Sequence, residues 1–309
     1  MKYIYTLIPI FVFLSCCKKK QSECECKNYG IGQGISQPTS FYKEVGYSYD
    51  FACINPIDEN EIIYYLKDYS NNKFQIVKHN FINNSKIVLI EKKIISQIHW
   101  NKNGKIVFAS DDYNIWSLND DGSNLIKHTN SNYNLNPIWL NFSDTLVYQI
   151  SPDLSNKRTL VYSYNNSIID SISSMPIEYS TYYDNNQLFF VEYSTSKKIK
   201  KINLSNHQVS DITIINSDNL ITGITYSKNK IYLSTSNDNI YQFNLSNQII
   251  SKYTCGCIWK YYKSLNSSFS EKYILFTKIT TQTDNDIEFQ YKGSIIITNT
   301  EDFSEVEIK

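Results

Sequence analysis

The chain has 309 residues, of which 30 are basic and 30 acidic, for a formal net charge of zero. No basic stripe or nucleic-acid motif is visible, so nucleic acid is not an expected partner. Few windows place apolar residues at i, i+3, i+4 and i+7, which disfavours a helical fold, and the length suits one large β-rich domain.

At the N-terminus, Met1-Lys2 precedes an apolar run from Tyr3 to Leu14. Its twelve residues are too few to span a bilayer as a helix and match the core of a signal peptide. The run ends in Phe13-Leu14-Ser15-Cys16, which resembles a bacterial lipobox with a small residue before the lipidated cysteine. That resemblance implies a lipoprotein signal peptide over residues 1–15 and lipid on Cys16. The alternative is an ordinary secreted protein cleaved nearby. Lys18-Lys19-Lys20 and Gly30-Ile31-Gly32-Gln33-Gly34 then lie in a polar stretch. No strand precedes these glycines and no Lys-Ser/Thr pair follows them, so residues 16–45 read as a flexible tether and not a phosphate loop. No second long apolar segment follows, so we expect a protein anchored to a membrane and not spanning it.

Residues 46–309 carry a repeat. Lys105-Ile106-Val107-Phe108-Ala109-Ser110 is β-branched and aromatic, and Asn114-Ile115-Trp116-Ser117-Leu118-Asn119 alternates polar and apolar. Asn103-Gly104 and Asp121-Gly122 are turn dipeptides that tolerate positive φ. The same apolar strand recurs at Glu61–Tyr65, Thr145–Tyr148, Gln187–Phe190, Lys230–Leu233 and Lys272–Leu275, with spacings of 44, 40, 42, 43 and 42 residues. A third strand follows each anchor. Six units at a near-constant period predict an all-β, six-bladed β-propeller with four antiparallel strands per blade. A β-sandwich does not predict that period.

The stretch His99-Trp100-Asn101-Lys102-Asn103-Gly104-Lys105-Ile106-Val107-Phe108-Ala109-Ser110, with Ile115–Leu118 and Asn119-Asp120-Asp121-Gly122, resembles the WD40-like repeat of the TolB-type propellers. Asn101-Lys102-Asn103-Gly104 stands where that repeat has Ser-Pro-Asp-Gly. The third unit keeps Pro137-Ile138-Trp139 and Phe142-Ser143-Asp144 without the glycine. The resemblance implies a non-enzymatic binding or scaffolding module on an outer-membrane lipoprotein.

Aromatic residues precede most anchors: Trp100, Trp139, Tyr182, Tyr183 and Tyr226. They read either as stacking surfaces for a ligand or, by preference, as rings filling the wedge between twisted blades. His99, Trp139, Tyr182, Tyr226 and Trp259 are the candidate ligand-binding residues. With lipid on Cys16, six of the seven cysteines remain, an even number that suggests disulfides outside the cytoplasm. Cys53, Cys257, Cys255, Cys24 and Cys26 are the disulfide candidates. The expected bridge joins Cys53 to Cys257, or else to Cys255, across the seam between the first and last blades. The rival joins Cys24 or Cys26 to the Cys255–Cys257 pair.

The first blade supplies its own inner strand, Asp50–Ile54, and the last its own outer strand, Ser304–Ile308. We therefore expect the ring to close through side chains, without an N-terminal strand completing the last blade. The four histidines show no His-x-His pairing and the cysteines no Cys-x-x-Cys spacing, so neither metal nor cofactor is expected. Asp111-Asp112, Asp120-Asp121 and Asp284-Asn285-Asp286 read as polar turns before they read as calcium ligands. No Gly-x-Ser-x-Gly elbow is present, and no catalytic residue is assigned. The alternatives are a propeller enzyme of lyase or glycan-hydrolase type using the central funnel, and a component of an envelope assembly or secretion machine. The expected partners are a membrane, through the lipid anchor, and a protein or glycan; the expected state is a monomer.

Overall fold

The computed structural model describes residues 42–44, 46–130, 133–140, 145–152, 158–175, 177–184, 187–193, 197–215, 221–235, 239–247, 250–254, 260–268, 270–284 and 288–309. A short strand, β1 (Tyr42–Glu44), comes first. Blade one is β2 (Tyr47–Ile54), β3 (Glu61–Asp68), β4 (Lys73–Asn80) and β5 (Ser85–Glu91). Blade two is β6 (His99–Trp100), β7 (Lys105–Ala109), β8 (Ile115–Asn119) and β9 (Ile126–Lys127). Blade three is β10 (Tyr133–Trp139), β11 (Thr145–Ser151), β12 (Arg158–Tyr164) and β13 (Ser167–Met175). Blade four is β14 (Ile177–Asp184), β15 (Gln187–Tyr193), β16 (Lys197–Asn203) and β17 (Val209–Ile215). Blade five is β18 (Ile221–Ser227), β19 (Lys230–Thr235), β20 (Ile240–Asn244) and β21 (Ile250–Lys252). Blade six is β22 (Lys260–Ser267), β23 (Tyr273–Asp284), β24 (Glu288–Asn299) and β25 (Glu305–Ile308).

Within each blade the strands pair antiparallel in sequence order. The first strands lie side by side around a ring: β2 neighbours β6 and β22, β10 neighbours β6 and β14, and β18 neighbours β14 and β22. The six-bladed, four-stranded propeller expected from the repeat is the observed fold.

Why the anchor strands are apolar throughout follows from strand periodicity. Successive side chains point to opposite faces, and each blade is covered on both faces by its neighbours. On β7, Ile106 and Phe108 enter the wedge shared with blade one, while Val107 and Ala109 enter the wedge shared with blade three. On β3, Ile63 and Tyr65 face blade two, while Ile62 and Tyr64 face blade six. On β15, Leu188 and Phe190 face blade three, while Phe189 and Val191 face blade five. Six such wedges make up the hydrophobic core, one between each pair of neighbouring blades. Full burial of an aliphatic or aromatic side chain contributes about 1.5–3 kcal/mol, so the wedges are what hold the blades together.

The turns are built as the dipeptides predict. Gly104 and Gly122 have φ of +70° and +86°. A Cβ on Gly122 would stand 2.9 Å from the carbonyl oxygen of Leu89, so this turn of blade two also seats against blade one. With only nine glycines available, asparagine takes many other left-handed positions, including Asn72, Asn84, Asn124, Asn136, Asn165, Asn166 and Asn229. Asparagine tolerates that region better than other residues with a Cβ.

The closure differs from the expectation. β1 pairs in parallel with β24, matching Tyr42–Glu44 to Phe289–Tyr291. β25 pairs antiparallel with the same strand at Ile295–Thr298. Strand β24 runs for twelve residues and β25 covers only four of them. The remaining open edge accepts an N-terminal strand, because unpaired edge groups recruit any strand that can reach them. Residues 42–44, expected in the tether, therefore belong to blade six. Blades one and six are joined by backbone as well as by side chains.

Candidate functional site at the inner rim

Every inner strand breaks register at a similar depth. The shifts fall between Asp50 and Cys53, Leu135 and Ile138, Ile177 and Thr181, Ile221 and Gly223, and Lys263 and Asn266. In blade two, Ile94 bridges Ser110, the Ile95 amide donates to the Ala109 carbonyl at 3.0 Å, and His99 then pairs with Val107, so the register slips across residues 96–98. Bulges of this kind re-aim side chains and are favoured near functional sites. Phe51, Asn136 and Ser264 occupy them with φ of 49°, 48° and 54°. For Phe51 and Ser264 that conformation is strained, and the surrounding structure holds it.

The bulges bring polar groups together between blades. Asp50 is buried; its Oδ1 accepts from the Phe51 amide at 2.9 Å, the Ser264 hydroxyl at 2.8 Å and the Thr277 hydroxyl at 3.3 Å. Lys67 Nζ lies 3.6 Å from its Oδ2. Blade one is thus fastened to blade six by a carboxylate. Gln97 Nε2 donates to the carbonyl oxygen of Leu265 at 2.6 Å. That bond runs from blade two to blade six past the inner end of blade one. In blade three, Gln149 Oε1 accepts from Asn136 Nδ2 at 3.1 Å and from Arg158 Nη1 at 2.8 Å. Arg158 is the single arginine of the chain and is 2% exposed. A flat guanidinium carries several fixed donors, which lysine cannot supply at the same place.

Among the ligand-binding candidates, His99 sits on β6 and its Nδ1 accepts from the backbone amide of Trp139 at 3.3 Å. The residue as a whole is partly exposed, while its imidazole is desolvated by burial. That burial pushes its imidazole down to about 4. The folded protein therefore resists charging this group, whereas the unfolded chain takes up the proton near pH 6.5. Stability should hold above about pH 6.5 and fall as the pH is lowered towards about 4. His99→Gln keeps an acceptor for the Trp139 amide and removes the titration. It should flatten part of that fall in denaturation curves taken across this window; an unchanged slope would count against burial of a neutral imidazole.

Trp139 and Tyr226 pack between blades. Trp139 lies against the blade two–three wedge, with the His128 ring edge-on at 5.3 Å. Tyr226 stacks on Phe189 at 5.3 Å, between blades four and five. Trp100 is buried between blades one and two. The preferred reading of the aromatic series, wedge packing, holds for these three. The side chains of Tyr182, Tyr183 and Trp259 lie outside the described residues.

The seam disulfide expected of Cys53 is not formed: Cys53 is a free, buried thiol. Strand alternation gives the reason. Ala52 and Ile54 face blade six, and Cys53 faces the opposite way, among Ile63, Ile98 and Trp100. Burial pushes its thiol up to about 12, so it stays protonated at neutral pH. Cys16, Cys24, Cys26, Cys255 and Cys257 lie outside the described residues, as does the rival pairing. Among the described residues, no group of three or more His, Cys, Asp and Glu side chains is placed to hold a metal ion. Asp112 is engaged by Trp116 and Lys127, and Asp121 caps the Ser123 amide, as polar turns do.

Sequence reasoning missed Asp50, Gln97 and Arg158. Asp50 carried a signal, a carboxylate between Tyr49 and Phe51 in an apolar strand. Gln97 carried none.

No protein-family model matches the chain, and no curated protein matches it in sequence. Solved structures match it in fold. TolB from Acinetobacter baumannii is 14% identical over 81% of this chain and 63% of that one, with a TM-score of 0.58. An acylaminoacyl peptidase in complex with Z-Gly-Gly-Phe-chloromethyl ketone is 11% identical over 85% of this chain and 45% of that one, at 0.54. The β-propeller domain of the Trilobed protease from Pyrococcus furiosus, described as having an open velcro topology, is 12% identical over 85% and 84%, at 0.53. The chain thus spans under half of that peptidase and under two thirds of TolB. The fold is that of a TolB-like β-propeller.

Proposed function

We propose that the protein is an envelope lipoprotein, held at the outer membrane through Cys16, whose propeller is a rigid binding platform for a protein or glycan. One observation carries this reading. The polar groups described at the inner rim are bonded to one another, across blades as Asp50 is to Ser264 and Thr277 and Gln97 is to Leu265, or within blade three as Asn136 and Arg158 are to Gln149. They hold the ring in shape and offer a reacting substrate no pair of carboxylates or histidines. A lyase or glycan hydrolase working in the funnel needs several such groups converging. The likeness to TolB supports an envelope role. The lipobox-like Phe13-Leu14-Ser15-Cys16 supports the anchor, and no helix among the described residues is long and apolar enough to cross a membrane.

The anchor is tested by Cys16→Ala. Stable attachment takes more than one acyl chain, so removing their shared site releases the protein. The variant should move from the membrane fraction to the soluble fraction of the producing bacterium. A variant that stays with the membranes, unprocessed, would show that Cys16 is not the anchor.

A further inference from the structure

We propose that one end of the seam between blades one and six is a docking site for a partner segment combining apolar and basic residues. The inference rests on reading the ring as a binding platform and names the chemistry of what it binds.

The loops β2–β3, β4–β5, β22–β23 and β24–β25 all lie at this end, because alternate connections of an antiparallel blade share an end. Three large apolar side chains stand out from them: Ile57 and Ile82 are each 71% exposed and Phe303 is 59% exposed. The turns are knitted into one surface. The Phe81 amide donates to the Asn60 carbonyl at 3.0 Å, and the Phe81 ring meets Tyr273 edge-on at 6.1 Å. The Glu59 carboxylate accepts from the Ser270 amide and hydroxyl at 2.9 and 2.5 Å. The Thr300 amide donates to the Lys272 carbonyl at 2.8 Å. Contiguous exposed apolar area marks interaction sites, and these side chains project from turns that are joined to one another.

Neither folding nor turn geometry asks for these residues. The amides of Ile57 and Ile82 are capped by Asn55 and Asn80, and any side chain would serve there. Phe303 has φ of 59°, a conformation that disfavours a bulky side chain and suits glycine or asparagine. A strained, exposed phenylalanine contributes little to this fold.

The rim of the patch selects the partner. The turns at this end and the residues beside them carry Asp58, Glu59, Glu271, Glu301 and Asp302, against Lys272, Lys228 and Lys86. Lys228 is paired with Glu301 at 3.2 Å. The excess is acidic, so a basic segment is attracted and an anionic lipid surface is repelled. The attachment point agrees. Tyr42 pairs at Phe289, near the opposite end of β24 from Asn299. At about 3.3 Å per residue, Tyr291 and Asn299 are roughly 25 Å apart. Strand β1 thus joins the propeller at the end away from this patch.

The test measures binding of a lysine–leucine amphipathic peptide to the full chain by fluorescence anisotropy, with a glutamate–leucine peptide as the comparison. Native protein should bind the basic peptide and not the acidic one. Ile57→Ser/Ile82→Ser/Phe303→Ser and, separately, Glu301→Lys/Asp302→Lys should each weaken binding about tenfold or more, a loss of about 1.4 kcal/mol. Ile168→Ser/Ile169→Ser, on the exposed β13 edge, should leave it unchanged. The second variant alters only exposed side chains, losing the Glu301–Lys228 pair and the Asp302 cap on Ser304, and leaves the core untouched, so it reads out even if the triple variant unfolds. Equal binding by native and patch variants overturns the proposal. So does self-association lost in the patch variants, which would make a second copy the occupant, and so does patch-dependent binding to phosphatidylglycerol vesicles. If Cys16→Ala leaves the protein on membranes while the peptide binds as expected, the anchor fails and the docking site stands.

Discussion

Replacing Asp50 with alanine is expected to destabilise the protein by roughly 3 kcal/mol, the low end of what removing one partner of a buried ion pair costs. The side chain is 2% exposed and holds four donors across two blades. Alanine leaves the hydroxyls of Ser264 and Thr277 facing an apolar seam, and buried donors without acceptors are expensive. Lys67 is 18% exposed and reaches water, which keeps the figure at the low end. Chemical denaturation of the native and Asp50→Ala chains measures it. A loss under about 1 kcal/mol would mean the carboxylate does not fasten the seam.

Phe108→Ala is expected to have the other large effect, about 3–5 kcal/mol. Phe108 is fully buried on β7 in the wedge that also holds Ile63, Ile98 and Trp100. Two blades meet there, and neither collapses into the cavity without leaving its own sheet. Exposed Phe303, in contrast, should cost little fold stability when replaced by serine. The same denaturation series separates the two, and equal losses would contradict the assignment of Phe108 to the core.

The ring was legible because its cause is local. A strand buried on both faces must be apolar at every buried position, so Ile106–Ala109 and its counterparts recur as unbroken runs at the blade period. Trp100, Trp139 and Tyr226 were legible as wedge residues for the same reason. The direction of Cys53 was not, because it depends on whether the strand alternates through the bulge at Phe51. The N-terminal closure was hidden too: nothing local to Tyr42–Glu44 says that β24 is three times as long as β25. Asp50 and Gln97 meet partners in blade six, 214 and 168 positions away, and only the closed ring brings them together. The docking surface lay beyond the sequence for the same reason, since Ile57, Ile82 and Phe303 share one end only after blades one and six meet.

A double-mutant cycle between Asp50 and Ser264 tests this closure most directly, because the two residues lie 214 apart in sequence and 2.8 Å apart across the seam. Asp50→Ala, Ser264→Ala and the double variant are compared with the native chain by chemical denaturation. A closed ring predicts that the double variant loses less than the sum of the singles, with a coupling of about 1 kcal/mol or more, as expected for groups in one hydrogen-bonded network. Strictly additive losses, within about 0.3 kcal/mol, would show that the residues do not touch and that blade one does not meet blade six as described.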